Sequence, residues 1–185
     1  MNIAIKDIDE SNLKDVPASC RGCIYWEFPE EFDRAREEKT GAQKRLEFEE
    51  KKRQWFIQTM REFGTCGKIV YREGNPVAYA QFAPSARLPN TRHYESQPVG
   101  RQEEGVVFIS CLYVADEALR GRGLGEALLQ NIIDDLKRRG FRAVETFARR
   151  GNSENPSGPF EFYTKKGFHV KNETNPEFPL VRLDL

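Results

Sequence analysis

Residues 106–136 constrain the fold of this chain more than any other stretch. They begin with VVFISCLYV, a run rich in apolar, β-branched and aromatic residues whose length and composition are typical of a buried strand. They end with apolar residues at helical spacing, which predicts an amphipathic helix. The apolar residues of this helix are Leu124, Ala127, Leu128, Ile132, Ile133 and Leu136. Between strand and helix lies the segment 120–125, RGRGLG.

This glycine-rich segment predicts an anion site. The first turn of a helix has backbone N–H groups without intrahelical partners, and the helix dipole adds partial positive charge there. Glycine lets a bulky anion approach the backbone closely. Arg120 and Arg122 add two full positive charges. The pattern therefore indicates a site for a phosphate or pyrophosphate group.

Two widespread phosphate-binding motifs do not fit this segment. No Lys-Ser or Lys-Thr follows the glycines, so the P-loop pattern is not met. Gly121, Gly123 and Gly125 follow G-x-G-x-G rather than the dinucleotide pattern G-x-G-x-x-G. In addition, the strand leads into the glycines through residues 115–119 rather than through a tight turn.

The segment does contain R-x-x-G-x-G, formed by Arg120, Gly123 and Gly125 after the strand end Leu112-Tyr113-Val114. With the strand before it and the apolar helix after it, this stretch resembles the GNAT superfamily of acyl-CoA-dependent N-acyltransferases. A second stretch, FYTKKGF at 162–168, resembles the aromatic-Tyr helix closed by Gly-Phe in the same family. The two stretches cover roughly the C-terminal half of the chain, and the N-terminal half agrees only in its order of elements.

The resemblance implies an α/β (α+β) fold, with a mixed, mostly antiparallel central sheet of about six to seven strands flanked by about four helices. We expect a single domain over residues 1–185. Within it, 29–63 is expected to be a helical segment on the acceptor side. Residues 83–104 are expected to form a long loop near the acceptor site, since long loops in compact domains are often functional.

The resemblance also implies the acyl donor, acetyl-CoA, as cosubstrate, and no metal. Backbone N–H groups at the splayed end of the central strand are the natural donors to the oxyanion, and we predict that of Leu112. Tyr113 and Val114 would pair with the pantetheine arm. The remaining predicted donor-binding residues would hold the pyrophosphate and are Arg120, Gly121, Arg122, Gly123, Leu124, Gly125 and Glu126.

Acyl transfer to an amine also needs groups that move protons. Tyr163, in the second stretch, is the candidate acid for the leaving thiolate, since similar enzymes place a tyrosine there. Its alternative role is core packing with a satisfied hydroxyl. Glu145, on the strand after the loop and helix, is the candidate base, as in some family members. Two alternatives remain open. Glu27 could be the base instead, or the substrate could lose its proton in bulk water and need no base from the protein.

The resulting hypothesis is an N-acetyltransferase that moves an acetyl group from acetyl-CoA to a primary amine by direct attack. One alternative is a catalytically inactive acyl-CoA-binding or sensing module. A second is a zinc or thiol module built on Cys20 and Cys23, although a lone C-x-x-C lacks the two further ligands that a zinc site usually needs.

Charge balance and apolar runs limit which partners and which cellular compartment we expect. Lys+Arg and Asp+Glu both total 29, so bulk charge gives no reason to expect nucleic acid or an anionic membrane as a partner. No apolar run approaches the roughly 20 residues needed to cross a bilayer, and the N-terminal residues show no signal pattern. We therefore expect a cytoplasmic protein whose partners are acetyl-CoA and an amine-bearing acceptor. The resemblance is compatible with a homodimer.

Overall fold

The computed structural model describes residues 3–38, 41–97, 103–151 and 158–185. These residues form seven β-strands and five α-helices. In chain order they are β1 (Ile3–Asp7), α1 (Ala18–Arg21), α2 (Pro29–Glu37), α3 (Ala42–Phe63), β2 (Gly67–Arg72), β3 (Asn75–Ala83), β4 (Val106–Val114), α4 (Leu124–Arg138), β5 (Ala143–Phe147), α5 (Phe160–Thr164), β6 (His169–Asn172) and β7 (Leu180–Asp184).

The strands form one sheet in the order β1-β2-β3-β4-β5-β7-β6. Every neighbouring pair is antiparallel except β4 and β5, which run parallel. A parallel pair needs a long crossover connection, and α4 supplies it. The expected mixed, mostly antiparallel sheet with flanking helices is confirmed.

Helices cover both faces of this sheet. On one face, the apolar side of α4 packs on strand residues such as Val107 and Val144. On the other, Trp55 and Phe56 of α3 pack on strand residues such as Phe147. We call these the α4 face and the α3 face. Because side chains alternate along a strand, each buried strand contributes residues to both cores.

The β2–β3 hairpin closes with a two-residue turn. Glu73 and Gly74 both have positive φ, 51° and 84°. This backbone matches the right-handed twist of paired strands better than ordinary turns do. Arg72 and Asn75 pair with each other, so they belong to the strands rather than to the turn.

The helical segment expected over 29–63 consists of α2 and α3, with residues 39–40 outside the described residues. No helix in the described ranges combines the length and apolar character needed to span a bilayer. Before α2 the chain makes a turn in which Phe28 N–H donates to the Ile24 carbonyl at 2.8 Å. The Ile24 and Trp26 side chains of this turn are buried.

The long segment 83–104 is tied to the rest of the molecule rather than free of structure. It contains two short 3-10 helices, Ser85–Arg87 and Pro89–His93. Trp55 Nε1 donates to the Arg87 carbonyl at 3.0 Å, and Ser96 Oγ donates to the Asn175 carbonyl at 3.2 Å. The segment therefore bridges α3 and the β6–β7 connection. Its residues 98–102 lie outside the described residues.

The α4-face core makes a specific stability prediction. Ile132 of α4 is 0% exposed, so Ile132→Ala leaves a cavity and should lower the free energy of unfolding by about 2–5 kcal/mol. Gln130→Ala, on the exposed side of the same helix, should change it by less than about 0.5 kcal/mol. Urea denaturation followed by circular dichroism measures both. Equal losses in the two variants would contradict this packing of α4.

Candidate active site

Strands β4 and β5 separate part of the way along their length. They pair from Val106 opposite Ala143 to Phe108 opposite Glu145, and no further. Beyond that point β4 continues against β3 as far as Val114, while β5 continues against β7. The two strands therefore diverge and leave a wedge-shaped opening between them, which we call the split.

A bulge in β4 accompanies the split. Cys111 lies opposite Gln81 and Ile109 lies opposite Phe82, so Ser110 is an extra residue on β4. Such a bulge bends the strand and increases its local twist. Ser110 Oγ fixes the bulge by donating to the Gln81 carbonyl at 3.2 Å.

The hydrogen-bond alternation of β4 determines which of its N–H groups face the split. Ala115 N–H donates to the Val77 carbonyl on β3 at 2.9 Å. Bonds in an antiparallel ladder alternate along the strand, so the backbone of Tyr113, opposite Tyr79, also faces β3. The backbone groups of Leu112 and Val114 face the other way, towards the split. Tyr113 instead offers its ring, 5.8 Å from the Arg120 guanidinium.

The glycine-rich segment after β4 is open where an anion would approach. Gly121 and Gly123 have φ of 72° and 83°, values that L-residues rarely adopt. No described heavy atom lies within 4 Å of the place where a Cβ would stand on either residue. Gly125 differs, since a Cβ there would lie 3.4 Å from Leu112 Cδ2. This close approach brings the start of α4 against the split.

The N-terminus of α4 presents free backbone donors. Its first intrahelical bond runs from Ala127 N–H to the Gly123 carbonyl at 2.9 Å. The N–H groups of Leu124, Gly125 and Glu126 precede that bond, and such groups point out of the helix end. The Leu124 side chain is buried in the α4-face core and anchors this end.

Charged side chains surround the same helix end. Arg120 Nη1 pairs with Glu117 at 3.3 Å, and its Nε donates to the Val114 carbonyl at 3.3 Å. Arg122 is exposed. The Glu126 carboxylate is held by Lys166, at the end of α5. Two guanidinium groups and the helix dipole thus favour a negatively charged ligand here.

Tyr163 lies on α5, fully buried in the α4-face core, where its ring contacts Phe168. Its hydroxyl is hydrogen-bonded to Thr146. Thr146 Oγ1 in turn donates to the Ile109 carbonyl at 2.8 Å. This series of contacts joins α5, β5 and β4 one residue beyond the last β4–β5 pair. Burial raises the pKa of the Tyr163 phenol, which therefore stays protonated.

Glu145 lies at the closed end of the split. It is 3% exposed, and its Oε1 accepts hydrogen bonds from Lys171 at 2.7 Å and from Arg182 at 3.3 Å. Both cations also bind Glu103, and their hydrogen bonds, that of Arg182 foremost, lower the pKa of Glu103 to about 2. Glu145 is therefore part of a four-charge network on β5, β6, β7 and the segment before β4.

Stacked aromatic rings cover the α3 face beside the split. Tyr94, from the segment between β3 and β4, stacks on Phe147 with ring centroids 4.2 Å apart. Trp26 stacks on Tyr94 at 5.6 Å and lies at the same distance from Phe108. The Tyr94 hydroxyl is hydrogen-bonded to that of Tyr25 at 2.9 Å. An acceptor that approaches from this face would meet an aromatic wall.

A buried polar network lies under α3, next to the bulge. Glu27 Oε1 accepts from Lys52 Nζ and from Gln81 Nε2, both at 2.5 Å. Tyr79 donates to Gln81 Oε1 at 2.6 Å. All four residues are at most 4% exposed. Sequence reasoning proposed Glu27 but missed its partners, although Lys52 in an apolar helical stripe and Gln81 in an apolar strand were visible signals.

The cysteines do not form a reactive or metal-binding group in the described residues. Cys20 and Cys23 are half-buried free thiols. Burial raises the pKa of Cys66 to about 12 and also raises that of Cys111, so these thiols stay protonated and are weak nucleophiles. In the described part of the chain, no three His, Cys, Asp or Glu residues are placed to share a metal ion.

Comparisons with known proteins place this geometry in a family. The family model described as "Acetyltransferase (GNAT) family" matches residues 24–168, more than half of the chain. That match includes both the glycine-rich segment and the FYTKKGF stretch. No curated protein sequence matches the chain.

Solved structures show the same fold at low sequence identity. PaiA N-acetyltransferase from Thermoplasma acidophilum, in complex with coenzyme A, superposes with a TM-score of 0.64 at 14% identity and 100% coverage of both chains. A GNAT family acetyltransferase from Brucella melitensis, in complex with acetyl-CoA, has a TM-score of 0.55 at 13% identity, covering 100% of this chain and 88% of the other.

The ribosomal-protein-S18-alanine N-acetyltransferase from Escherichia coli has a TM-score of 0.54 at 15% identity, covering 100% of this chain and 93% of the other. The family match, the splayed sheet and the neighbours solved with coenzyme A or acetyl-CoA agree on acetyl-CoA as cosubstrate. The resemblance seen in the sequence is thereby confirmed, and the chain belongs to the acetyltransferase (GNAT) family of transferases.

Proposed function

We propose that this protein is an N-acetyltransferase that transfers the acetyl group of acetyl-CoA to a primary amine by direct attack. The observation that carries the proposal is the position of the split directly beside the N-terminus of α4. The Leu112 and Val114 backbone groups face the split. Gly125 packs against Leu112, so the anion-binding helix end and the free strand edge form one continuous surface. A long ligand with a diphosphate at one end fits such a surface.

The residues of this surface would each hold a different part of acetyl-CoA. The N–H groups of Gly121 to Glu126, with Arg120 and Arg122, would hold the pyrophosphate. Val114 would pair with the pantetheine amides as a neighbouring strand does, with Tyr113 packing beside it. The N–H of Leu112 would donate to the oxyanion that develops at the thioester carbonyl, since a preorganised donor is most effective where charge appears.

Tyr163 is our proposed acid for the leaving sulfur. Its hydroxyl lies with Thr146 at the inner edge of the split, on the α4 face. Because burial keeps the phenol protonated, it has a proton to give at ordinary pH. The hydrogen bond to Thr146 also holds the hydroxyl in place.

The base is one of two buried carboxylates. Glu145 follows the family pattern of a carboxylate on the strand after the central helix. Glu27 lies on the α3 face beneath the aromatic wall, within the network that reaches the bulge of β4 through Gln81. The acceptor we propose is a primary amine in general, and the E. coli neighbour is named for one such amine, an alanine of ribosomal protein S18.

The first test is binding of acetyl-CoA. Isothermal titration calorimetry should detect a complex with the wild-type protein. Gly123→Asp should weaken it by about 10–100-fold, because it places a carboxylate where a phosphate would lie and disrupts charge-assisted hydrogen bonds worth about 1.5–3 kcal/mol. Gly123 has φ 83° and open surroundings.

Gly140→Asp is the matched control for this test. Gly140 has φ 79° and equally open surroundings, but it lies past the opposite end of α4. The control should show a similar loss of thermal stability and unchanged acetyl-CoA binding. Failure of folded wild-type protein to bind acetyl-CoA would refute the proposed function.

A second test concerns Tyr163. Tyr163→Phe should lower kcat by about 10²–10⁴-fold and leave the Kd for acetyl-CoA unchanged, because it removes the acid and little of the binding surface. Thiol release measures turnover with a panel of acceptors: a diamine, an amino acid, an aminoglycoside and a peptide that begins with alanine. Tyr71→Phe removes a comparable hydrogen bond, 2.7 Å to Asp15, far from the split and should keep full activity.

The same panel of acceptors distinguishes an active enzyme from an inactive acyl-CoA-binding module. An inactive acyl-CoA-binding module would bind acetyl-CoA, turn over none of the acceptors and be indifferent to Tyr163→Phe. Turnover that Tyr163→Phe abolishes supports the enzyme.

A further inference from the structure

We propose that Glu27 is the group that takes the proton from the acceptor amine, through its Oε2 atom. The assignment rests on the proposed function, since it names the base for that same transfer. The family resemblance pointed to a carboxylate on a strand, Glu145. The assignment of Glu27 rests instead on the contacts that this residue, between α1 and α2, makes in the structure.

The first support is the bonding of the Glu27 carboxylate. Its Oε1 is fully used, by Lys52 Nζ and Gln81 Nε2. Its Oε2 is buried and has no hydrogen-bond partner among the residues that the structure describes. A buried carboxylate oxygen without a partner is costly, so this atom is suited to accept a proton donor that is brought in with the acceptor.

The second support is that Gln81 fixes this carboxylate next to the reacting centre. The Gln81 side chain donates to Glu27 and accepts from Tyr79, while its carbonyl accepts from Ser110 at the bulge. Gln81 lies opposite Cys111, the residue before Leu112. One side chain therefore separates Glu27 from the part of β4 whose N–H groups face the split.

The third support is that the proposed acid and the proposed base lie on opposite faces of the sheet. Tyr163 lies on the α4 face, with the core of α4. Glu27 bonds to Lys52 of α3 and lies on the α3 face. With the acid on one side of the split and the base on the other, donor and acceptor can approach the split from opposite faces. Such an arrangement leaves one face of the planar thioester carbonyl open to the amine, which is the face that direct attack uses.

A cleft on the α3 face offers room for the acceptor. Its volume is about 570 Å³, which is within the range of small-molecule sites. Glu27 lines it together with apolar and polar residues, which are Phe28, Trp55, Ala86, Pro89, Glu50, Lys51, Gln54, Gln58 and Arg87. Glu27 thus stands between this cleft and Gln81, where it can take a proton directly or through one water.

The ion pair of Glu27 with Lys52 is poorly explained by stability alone. The Glu27 and Lys52 side chains are 0% and 4% exposed. Desolvation of such a pair often cancels its Coulombic attraction, and apolar side chains of similar volume are often as stable. Lys52 places a positive charge directly beside the Glu27 carboxylate.

Glu145 fits the role less well. It lies opposite Phe108, before the strands diverge, and its Oε1 is held by Lys171 and Arg182. These two cations also join it to Glu103. The contacts describe a structural network that holds β6 and β7 to the closed end of the split.

Glu50, Lys51 and Arg87 line the adjacent cleft. Apart from Lys52, the other titratable groups packed around the buried Glu27 carboxylate are neutral. They are Tyr79 on β3, Cys66 before β2, Cys111 on β4 and Cys20 on α1, and burial raises the pKa of each. Lys52 on α3 is the one cation that bonds to Glu27 among the described residues. Among the described residues, Glu27 is the carboxylate that bonds to this buried cluster.

The proton balance of the transfer is complete with these groups. The acceptor ammonium gives one proton to Glu27, which returns it to solvent. The nitrogen lone pair forms the C–N bond with the thioester carbonyl carbon, and the C–S bond breaks. The sulfur takes a proton from Tyr163, which regains one from the nitrogen. One proton stays on the amide product.

Three variants test the assignment. Glu27→Gln should lower kcat/KM for propylamine by about 10²–10⁴-fold. The loss should be much smaller for O-ethylhydroxylamine, which has the same size but is neutral at pH 7 and needs no deprotonation before attack. Glu145→Gln is assayed in parallel with both probes and with any acceptor that the panel identifies.

The double variant Glu27→Gln/Lys52→Met separates catalysis from folding. It removes both buried charges, so it should regain thermal stability that Glu27→Gln alone loses, while activity stays low. Recovery of activity together with stability would overturn the assignment, as would a Glu27→Gln enzyme within threefold of wild type. Loss in Glu145→Gln but not in Glu27→Gln would assign the base to Glu145.

The failure of the proposed function would look different. In that case the wild-type protein would acetylate neither probe nor any panel acceptor, whether or not it binds acetyl-CoA, and the assignment of Glu27 would fall with it. Turnover by wild type with equal rates in Glu27→Gln would leave the function intact and overturn only the assignment.

Discussion

The divergence of β4 from β5 is the feature on which the rest of the site depends. A continuous ladder would use every backbone group of β4 and leave nothing for a ligand. Here the pairing stops at Phe108, and the bulge at Ser110 turns the strand, so that the Leu112 and Val114 backbone groups face an opening. Thr146 bridges the two strands one residue further on, which fixes where the opening begins.

The sheet also separates two sets of functional groups, one on each of its faces. On the α4 face lie the open glycine segment, the free N–H groups of the helix start and Tyr163. On the α3 face lie the aromatic wall and the buried network of Glu27 with Lys52 and Gln81. The positive helix end suits a diphosphate, and the aromatic and acidic groups suit an organic cation. This difference in charge and polarity supports our proposal that donor and acceptor approach from opposite sides.

Sequence patterns predicted the elements whose signals are local. The bounds of β4 and the start of α4 were predicted correctly, because an apolar run, a glycine segment and a helical stripe follow one another without ambiguity. The split itself could not be predicted, since it depends on pairing between residues far apart in the chain. The same is true of the partners of Glu27: Lys52 is 25 residues away and Gln81 is 54 residues away along the chain.

The most direct test of the central claim, that the split and the start of α4 form one acyl-donor site, is amide NMR of the protein titrated with acetyl-CoA. We predict that the resonances of Leu112 and Val114 shift together with those of Leu124, Gly125 and Glu126, because all five N–H groups face the ligand. The Tyr113 amide, which faces β3, should shift less. Shifts confined to the α3 face, with these five amides unchanged, would contradict the account.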